Sequence, residues 1–168
     1  ALTLLGLLVL NLNEVRAAWY ADLGAVQMAK VVLAGFPTNQ WTSRSVLPDL
    51  KQAESTLQAA LPPNPANYTA NYRLGLISML RQDFVSAAGY LEKANQAVPD
   101  HRGIVKSLGY CYAWLGEIEK ASLLLDKIPE ADNELKVYIW WWETQGRIDL
   151  STNASLVLDT FGASAGQP

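Results

Sequence analysis

Side chains that could act as nucleophiles or metal ligands are scarce in this sequence of 168 residues. Cys111 is the single cysteine, so the chain has no internal disulfide and no cysteine cluster to hold a metal ion. His101 is the single histidine, which excludes a metal site built on a histidine pair. Because tyrosines flank Cys111 on both sides, we expect a buried, unreactive thiol there, whereas His101 is expected in an exposed loop.

The acidic side chains do not form a pattern that general acid–base chemistry requires. Glu117, Glu119 and Asp126 fall along one predicted helix, where a solvated face accounts for them. The net charge is −3 and no run of Lys or Arg occurs, so the sequence lacks the basic surface that nucleic-acid binding needs. We therefore predict no catalytic residues, no metal or other cofactor, and no nucleic-acid partner.

The residues best suited to binding are aromatic and recur at helical spacing. Lys106, Tyr110 and Trp114 are each four positions apart, so an α-helix would carry them on one face. Trp140 follows Lys136 at the same interval on a later segment. Whether such rows are core or binding surface depends on the helices that position them.

Helices ended by prolines, glycines and short polar turns are predicted along the chain. The first runs from the apolar start to Gly35, where Gly35-Phe36-Pro37 ends it. Along it the apolar side chains recur at helical spacing, at Val15, Trp19, Leu23, Val26, Lys30 (by its stem) and Leu33. A loop over 37–48 contains Trp41. Shorter helices are then predicted at 48–61, 67–80, 84–97, 102–115, 118–127, 133–145 and 148–158.

Positions along these shorter helices recur at an interval of 34 residues. The interval separates Leu57, Leu91 and Leu125, and it also separates Gly75 from Gly109. The other sets that share it are Leu50, Phe84 and Ile118; Ala53, Ala87 and Ala121; Ala60, Ala94 and Ile128; and Pro65 and Pro99. Agreement of several positions on one period indicates repeated helical hairpins in which small residues let the helices approach closely.

The repeated pattern resembles the tetratricopeptide repeat. The residues that carry the resemblance in the central hairpin are Leu74-Gly75, Phe84, Ala87, Ala94 and Pro99. It is close over 68–101 and 102–128 and weaker afterwards, where Tyr138-Ile139 replaces Leu-Gly and Ser151 replaces the central alanine. The resemblance implies an all-α fold, with antiparallel helical hairpins stacked as a right-handed solenoid after a long N-terminal helix. It is a weak guide to function, because such repeats serve many assemblies.

In proteins with this repeat, one face of the first helix of each hairpin lines a concave groove. The resemblance therefore implies a partner-binding groove here, lined by Tyr72, Leu76, Met79, Lys106, Tyr110, Trp114, Lys136 and Trp140. The alternative is that another part of the chain, such as the long first helix, covers this row. Leu76, Tyr110 and Trp140 stand where carboxylate-clamping repeats carry asparagines, so clamping of a peptide C-terminus is not expected.

The start of the chain is apolar enough to interact with a membrane. Residues 1–10 would extend over about 15 Å as a helix, roughly half the hydrocarbon thickness of a bilayer. We predict that residues 1–12 are the end of a membrane helix, with a buried core helix or an interfacial segment as alternatives. Residues 13–47 then form a repeat-like helix and an insertion loop, residues 48–161 the repeats, and residues 162–168 a flexible tail.

A second resemblance covers the arrangement of the whole chain. An apolar start, the repeats and two marked segments are similar to the C-terminal repeat region of some O-antigen-ligase-like bacterial membrane proteins. The segments are Trp19-Tyr20-Ala21-Asp22-Leu23-Gly24-Ala25 with Gly35-Phe36-Pro37-Thr38, and Tyr138-Ile139-Trp140-Trp141-Trp142. No catalytic role is carried over to the residues present.

Together these features predict a non-enzymatic helical-repeat scaffold that binds a protein partner. The apolar start predicts membrane association, and the second resemblance implies that the repeats lie outside the cytoplasm. Two alternatives stay open, namely the C-terminal region of a membrane glycan ligase or polymerase, and an accessory subunit of a larger membrane complex.

Overall fold

The structure of the chain, a computed structural model, describes residues 2–35 and 44–164, with side chains over 12–34 and 44–161. Within these ranges the fold is all-helical, as predicted. The helices are α1 (Leu2–Gly35), α2 (Lys51–Gln58), α3 (Tyr68–Leu80), α4 (Phe84–Ala97), α5 (Arg102–Leu115), α6 (Ile118–Leu125), α7 (Ala131–Thr144) and α8 (Ile148–Ser164). A short 3-10 helix at Arg44–Val46 precedes α2. The loop residue Trp41 lies outside the described residues. Of the predicted tail, residues 162–164 continue α8, and residues 165–168 lie outside the described residues.

Polar side chains and backbone conformation explain where several helices begin and end. Asn67, Asp83 and His101 each accept a hydrogen bond from the backbone N–H three residues further on, which satisfies one of the free donors at a helix start. His101, expected as a simple loop residue, is thus the N-cap of α5. The turn after α5 places Gly116 at a φ of +78°, a conformation that glycine adopts without strain.

Residues 1–98 form one compact unit that contains α1–α4. Its helices approach closely where a glycine meets a leucine. A Cβ atom at Gly24 would lie 2.6 Å from Leu57 Cγ, and a Cβ atom at Gly75 would lie 2.6 Å from Leu91 Cγ. The same contact therefore joins α1 to α2 and α3 to α4, so α1 and α2 pack as a repeat-like hairpin despite the insertion between them.

Helix α1 packs through one side, on which small residues and Met28 are buried. Ala17, Ala21, Gly24 and Met28 are buried against the rest of the unit. The large apolar residues that recur along α1 lie on the opposite side and are exposed, namely Val15, Trp19, Leu23, Val26 and Leu33. Among the described residues, no helix is both long enough and apolar enough to cross a membrane. The membrane role of residues 1–12 stays a prediction.

An ion pair joins α2 to the end of α3. Arg81 donates two hydrogen bonds to the Glu54 carboxylate, and these lower the pKa of Glu54 although partial burial opposes them. A carboxylate with a lowered folded-state pKa stabilises the fold above its unfolded value of about 4.5, and this stabilisation is lost as the pH falls through the folded value.

Glu54→Gln is expected to lower the free energy of unfolding by about 1 kcal/mol at neutral pH, since the pair is partly exposed. The difference from the parent should shrink toward zero well below the unfolded pKa, where Glu54 is protonated in both states. Urea unfolding at the two pH values checks this, with the exposed Glu119→Gln as the control. An equal loss at both pH values would show that the charge of Glu54 is not what stabilises the fold.

Residues 99–168 form the second compact unit, which contains α5–α8. Here a Cβ atom at Gly109 would lie 2.7 Å from Leu125 Cγ, so the glycine–leucine contact recurs between α5 and α6. Helix α8 packs against α5, α6 and α7, and it buries Leu150, Ala154 and Val157. Stacking of all hairpins into a right-handed solenoid stays a prediction.

Candidate functional site

The predicted groove residues of the first unit lie along α3 and are half-buried. Leu76 packs against the core of its own unit, which includes Leu74 and Ile77. The Arg73 guanidinium lies 5.5 Å from the centre of the Tyr72 ring, a distance typical of a cation–π contact. Met79 is also only partly exposed. Leu76 therefore contributes to packing within α1–α4.

The predicted groove residues of α5 are mostly buried. Tyr110 is 3% exposed and Trp114 is 5% exposed, because α7 covers them. The Tyr110 and Trp114 rings stack with centres 5.9 Å apart, and Tyr138 meets both edge-on at 5.1 and 5.2 Å. Trp142 contacts Trp114 at 5.5 Å. For Tyr110 and Trp114, therefore, another helix of the chain covers the row. We call Tyr110, Trp114, Tyr138 and Trp142 the aromatic cluster.

A polar network closes one end of the aromatic cluster. Lys106 Nζ donates to Glu134 Oε1 over 2.7 Å and to Glu130 Oε1 over 3.1 Å, and Arg102 also pairs with Glu130. The Tyr110 hydroxyl donates to Glu134 Oε2 over 2.6 Å. Burial, followed by this hydrogen bond, raises the pKa of Tyr110, so it stays a neutral donor. Burial alone would lower the pKa of Lys106, but its two carboxylate partners outweigh burial and raise it. Lys106 is therefore already engaged within the chain.

The predicted groove residues of α7 point away from the aromatic cluster. Trp140 is 63% exposed, and Lys136 is exposed while its Nζ lies 2.6 Å from Asp132 Oδ2. Val137 and Trp141 are exposed beside Trp140. We call Val137, Trp140 and Trp141 the α7 patch. Val137 and Trp141 are absent from the predicted lining, although Val137 lies three residues before Trp140 and four before Trp141, a spacing that could have included both.

The scarce reactive groups take no part in this surface. Cys111 is fully buried, and burial raises the pKa of its thiol to about 12, which makes it a poor nucleophile at neutral pH. A Gly-x-Ser-x-Gly pattern does occur at 162–166. A nucleophile elbow requires a strand before its serine and a helix after it, whereas Ser164 is the last residue of α8. Among the described residues no group of three or more His, Cys, Asp or Glu side chains could hold a metal ion.

Comparison with known proteins identifies the repeat in the middle of the chain. Residues 78–138 match the tetratricopeptide repeat family. The matched segment runs from the end of α3 through most of α7 and supports a tetratricopeptide repeat protein, as the 34-residue interval predicts. No curated protein matches the chain.

Tetratricopeptide repeats generally mediate protein–protein interaction, which favours a binding scaffold over an enzyme. The similarity to O-antigen-ligase-like proteins stays a prediction, as do membrane association and a location outside the cytoplasm. A continuous groove lined by all eight predicted residues also stays a prediction.

Proposed function

We propose that the chain is a non-enzymatic scaffold whose tetratricopeptide repeats hold a protein partner through the α7 patch. The observation that carries the proposal is the exposure of three large apolar side chains, Val137, Trp140 and Trp141, side by side on one helix. Positions three and four apart are neighbours on a helix surface, so the three form one continuous patch.

The composition of the α7 patch suits an interface. Tryptophan is enriched among the residues that contribute most to binding, because its large surface loses water when a partner covers it. The nearby charges are balanced within α7, since Lys136 is paired with Asp132. The partner that fits this surface therefore presents a largely apolar face rather than a strongly charged one.

Trp140→Ala is expected to weaken partner binding by about 2 kcal/mol or more, roughly 30-fold in Kd, as for truncation of a central interface tryptophan. The partner is first identified with a photo-crosslinking amino acid at position 144, which is exposed one turn after Trp140 and leaves the patch intact, using position 123 as the reference site. Leu123 is 71% exposed on α6, outside the patch. Titration calorimetry with the purified partner then compares Trp140→Ala with Leu123→Ala, which should bind like the parent.

Equal weakening by both variants would assign the effect to general hydrophobicity, and no effect from either would remove the α7 patch from the interface. Tyr110→Phe serves as a further check on the predicted groove. It removes a buried hydroxyl without changing the patch, so binding by this variant should be close to that of the parent.

A further inference from the structure

The outer side of α1 exposes a row of large apolar residues that the repeat function does not use. The α1 row consists of Leu12, Val15, Trp19, Leu23, Val26 and Leu33, each 39–68% exposed. At 100° per residue these positions fall within one narrow arc of the helix. The buried positions Ala17, Ala21, Gly24 and Met28 lie on the opposite side. The row therefore faces away from the core of its own unit.

The area of the α1 row is large for a surface that stays in water. With these exposed fractions the six side chains present on the order of 600 Å² of apolar surface, at or above the largest patch of a typical monomer. Two such rows pressed together would bury on the order of 1,200 Å², which reaches the range of specific, stable interfaces. A second copy of the same row supplies a matching surface.

The spacing of the α1 row is the spacing that paired helices use. Leu12, Trp19, Val26 and Leu33 follow one another at intervals of seven, over about 32 Å of helix. Val15 adds the intermediate position three residues after Leu12. Seven-residue spacing keeps these side chains on one side of the helix, as the seam of a helix pair requires, and the second seam position holds Val15, Asp22 and Ala29 in successive heptads.

We propose that α1 pairs with α1 of a second copy in the antiparallel direction, which goes beyond the partner binding proposed above. A parallel pair would set the two exposed Asp22 carboxylates directly opposite each other, whereas the antiparallel pair offsets them by three residues, about 4.5 Å along the axis, and so reduces their repulsion. In the antiparallel pair, a two-fold axis between positions 20 and 21 sets Trp19 opposite Asp22 of the second copy. The indole N–H can donate to that carboxylate. The same axis sets Val15 opposite Val26, and the large Leu12 opposite the small Ala29.

The first test is the mass of the full chain in solution, by sedimentation equilibrium over a wide range of concentrations. The parent is expected to reach twice its chain mass of 18.4 kDa. Trp19→Glu should remain at the mass of one chain, because it removes the largest apolar side chain of the seam and sets a second carboxylate opposite Asp22. Val85→Glu is the matched control, since Val85 is 72% exposed on α4, and it should dimerise like the parent. Circular dichroism confirms that both variants fold.

The second test distinguishes the two directions of pairing. Two single variants, Val15→Cys and Val26→Cys, are oxidised separately and as an equal mixture with a copper oxidant. Antiparallel pairing predicts disulfide-linked dimers in the mixture and few in either sample alone. Cys111 is buried and does not compete. Efficient crosslinking of each variant with itself indicates the parallel arrangement and overturns the proposed direction.

A parent chain that stays at the mass of one chain at every concentration overturns the proposal. The third test therefore adds vesicles of anionic and neutral lipid and follows tryptophan fluorescence. Vesicle binding by a monomeric parent, lost in Trp19→Glu, would assign the α1 row to a lipid surface instead. Dimerisation that Trp19→Glu leaves unchanged would assign self-association to another face.

Discussion

Trp114→Ala is expected to lower the free energy of unfolding of the second unit by about 3–5 kcal/mol, the usual cost of truncating a buried tryptophan. Trp114 is 5% exposed and its ring contacts Tyr110, Tyr138 and Trp142. Removal of the ring leaves a cavity between α5 and α7 and takes away three aromatic contacts, each of which contributes beyond the area that it buries.

Trp140→Ala is the control for this experiment, because it makes the same substitution at a tryptophan that is 63% exposed. Its effect on stability should stay within about 0.5 kcal/mol, as for surface positions in general. Urea unfolding measures both variants, and hydrogen exchange should show that Trp114→Ala weakens protection in α5–α8 more than in α1–α4. Similar losses in the two variants would mean that the aromatic cluster does not form the core of this unit.

Leu91→Ala is expected to cost about 2–5 kcal/mol in the first unit, because Leu91 is fully buried where α3 and α4 meet. In the Leu91→Ala background, the effect of Gly75→Ala on the free energy of unfolding should change sign. In the parent, Gly75→Ala places a Cβ atom 2.6 Å from Leu91 Cγ, and we expect a loss of about 1–2 kcal/mol from overpacking. With Leu91→Ala already present, Gly75→Ala should instead stabilise by about 1 kcal/mol, through helix propensity and partial filling of the cavity.

Gly89→Ala on α4 is the control for this double-mutant cycle. No atom lies within 4 Å of a Cβ at Gly89, so the substitution should stabilise by about 1 kcal/mol in either background. Chemical denaturation of the four combinations measures the coupling. If Gly75→Ala stabilises the parent as much as Gly89→Ala does, the two helices are not held at the close distance that the glycine permits.

Most of the helical framework could be predicted because its signals are local. Gly35-Phe36-Pro37, the turn residues and the closing prolines mark helix ends through backbone geometry that each residue carries with it. The interval of 34 residues added the pairing of helices, since Gly75 and Gly109 face Leu91 and Leu125 in the structure. The N-cap role of His101 was not predicted, because histidine is not among the usual capping residues.

The exposure of each aromatic row was harder to predict, because helical spacing shows which residues share a face but not what that face meets. Tyr110 and Trp114 form one row with Lys106, yet α7 buries the first two. Trp140 and Trp141 differ from Trp142 only in direction around α7, and that difference decides between exposure and burial. On α1 both sides are apolar, so the sequence revealed the row without showing that the smaller residues on the other side would pack.

The connection between α1 and α2 is longer than the one between α3 and α4, yet both helix pairs make the same glycine–leucine contact. Gly24 and Leu57 are 33 positions apart, whereas Gly75 and Leu91, which make the same contact, are 16 apart. Loop-closure entropy grows only with the logarithm of loop length, by about 0.6 kcal/mol for each doubling. The connection itself lengthens about fivefold, from 81–83 to 36–50, which costs about 1.4 kcal/mol. This cost is no more than the burial of one leucine contributes, so the first hairpin keeps its contact. Between α3 and α4 the turn is short and includes Gln82 at a φ of +61°, so length there is constrained by backbone geometry instead.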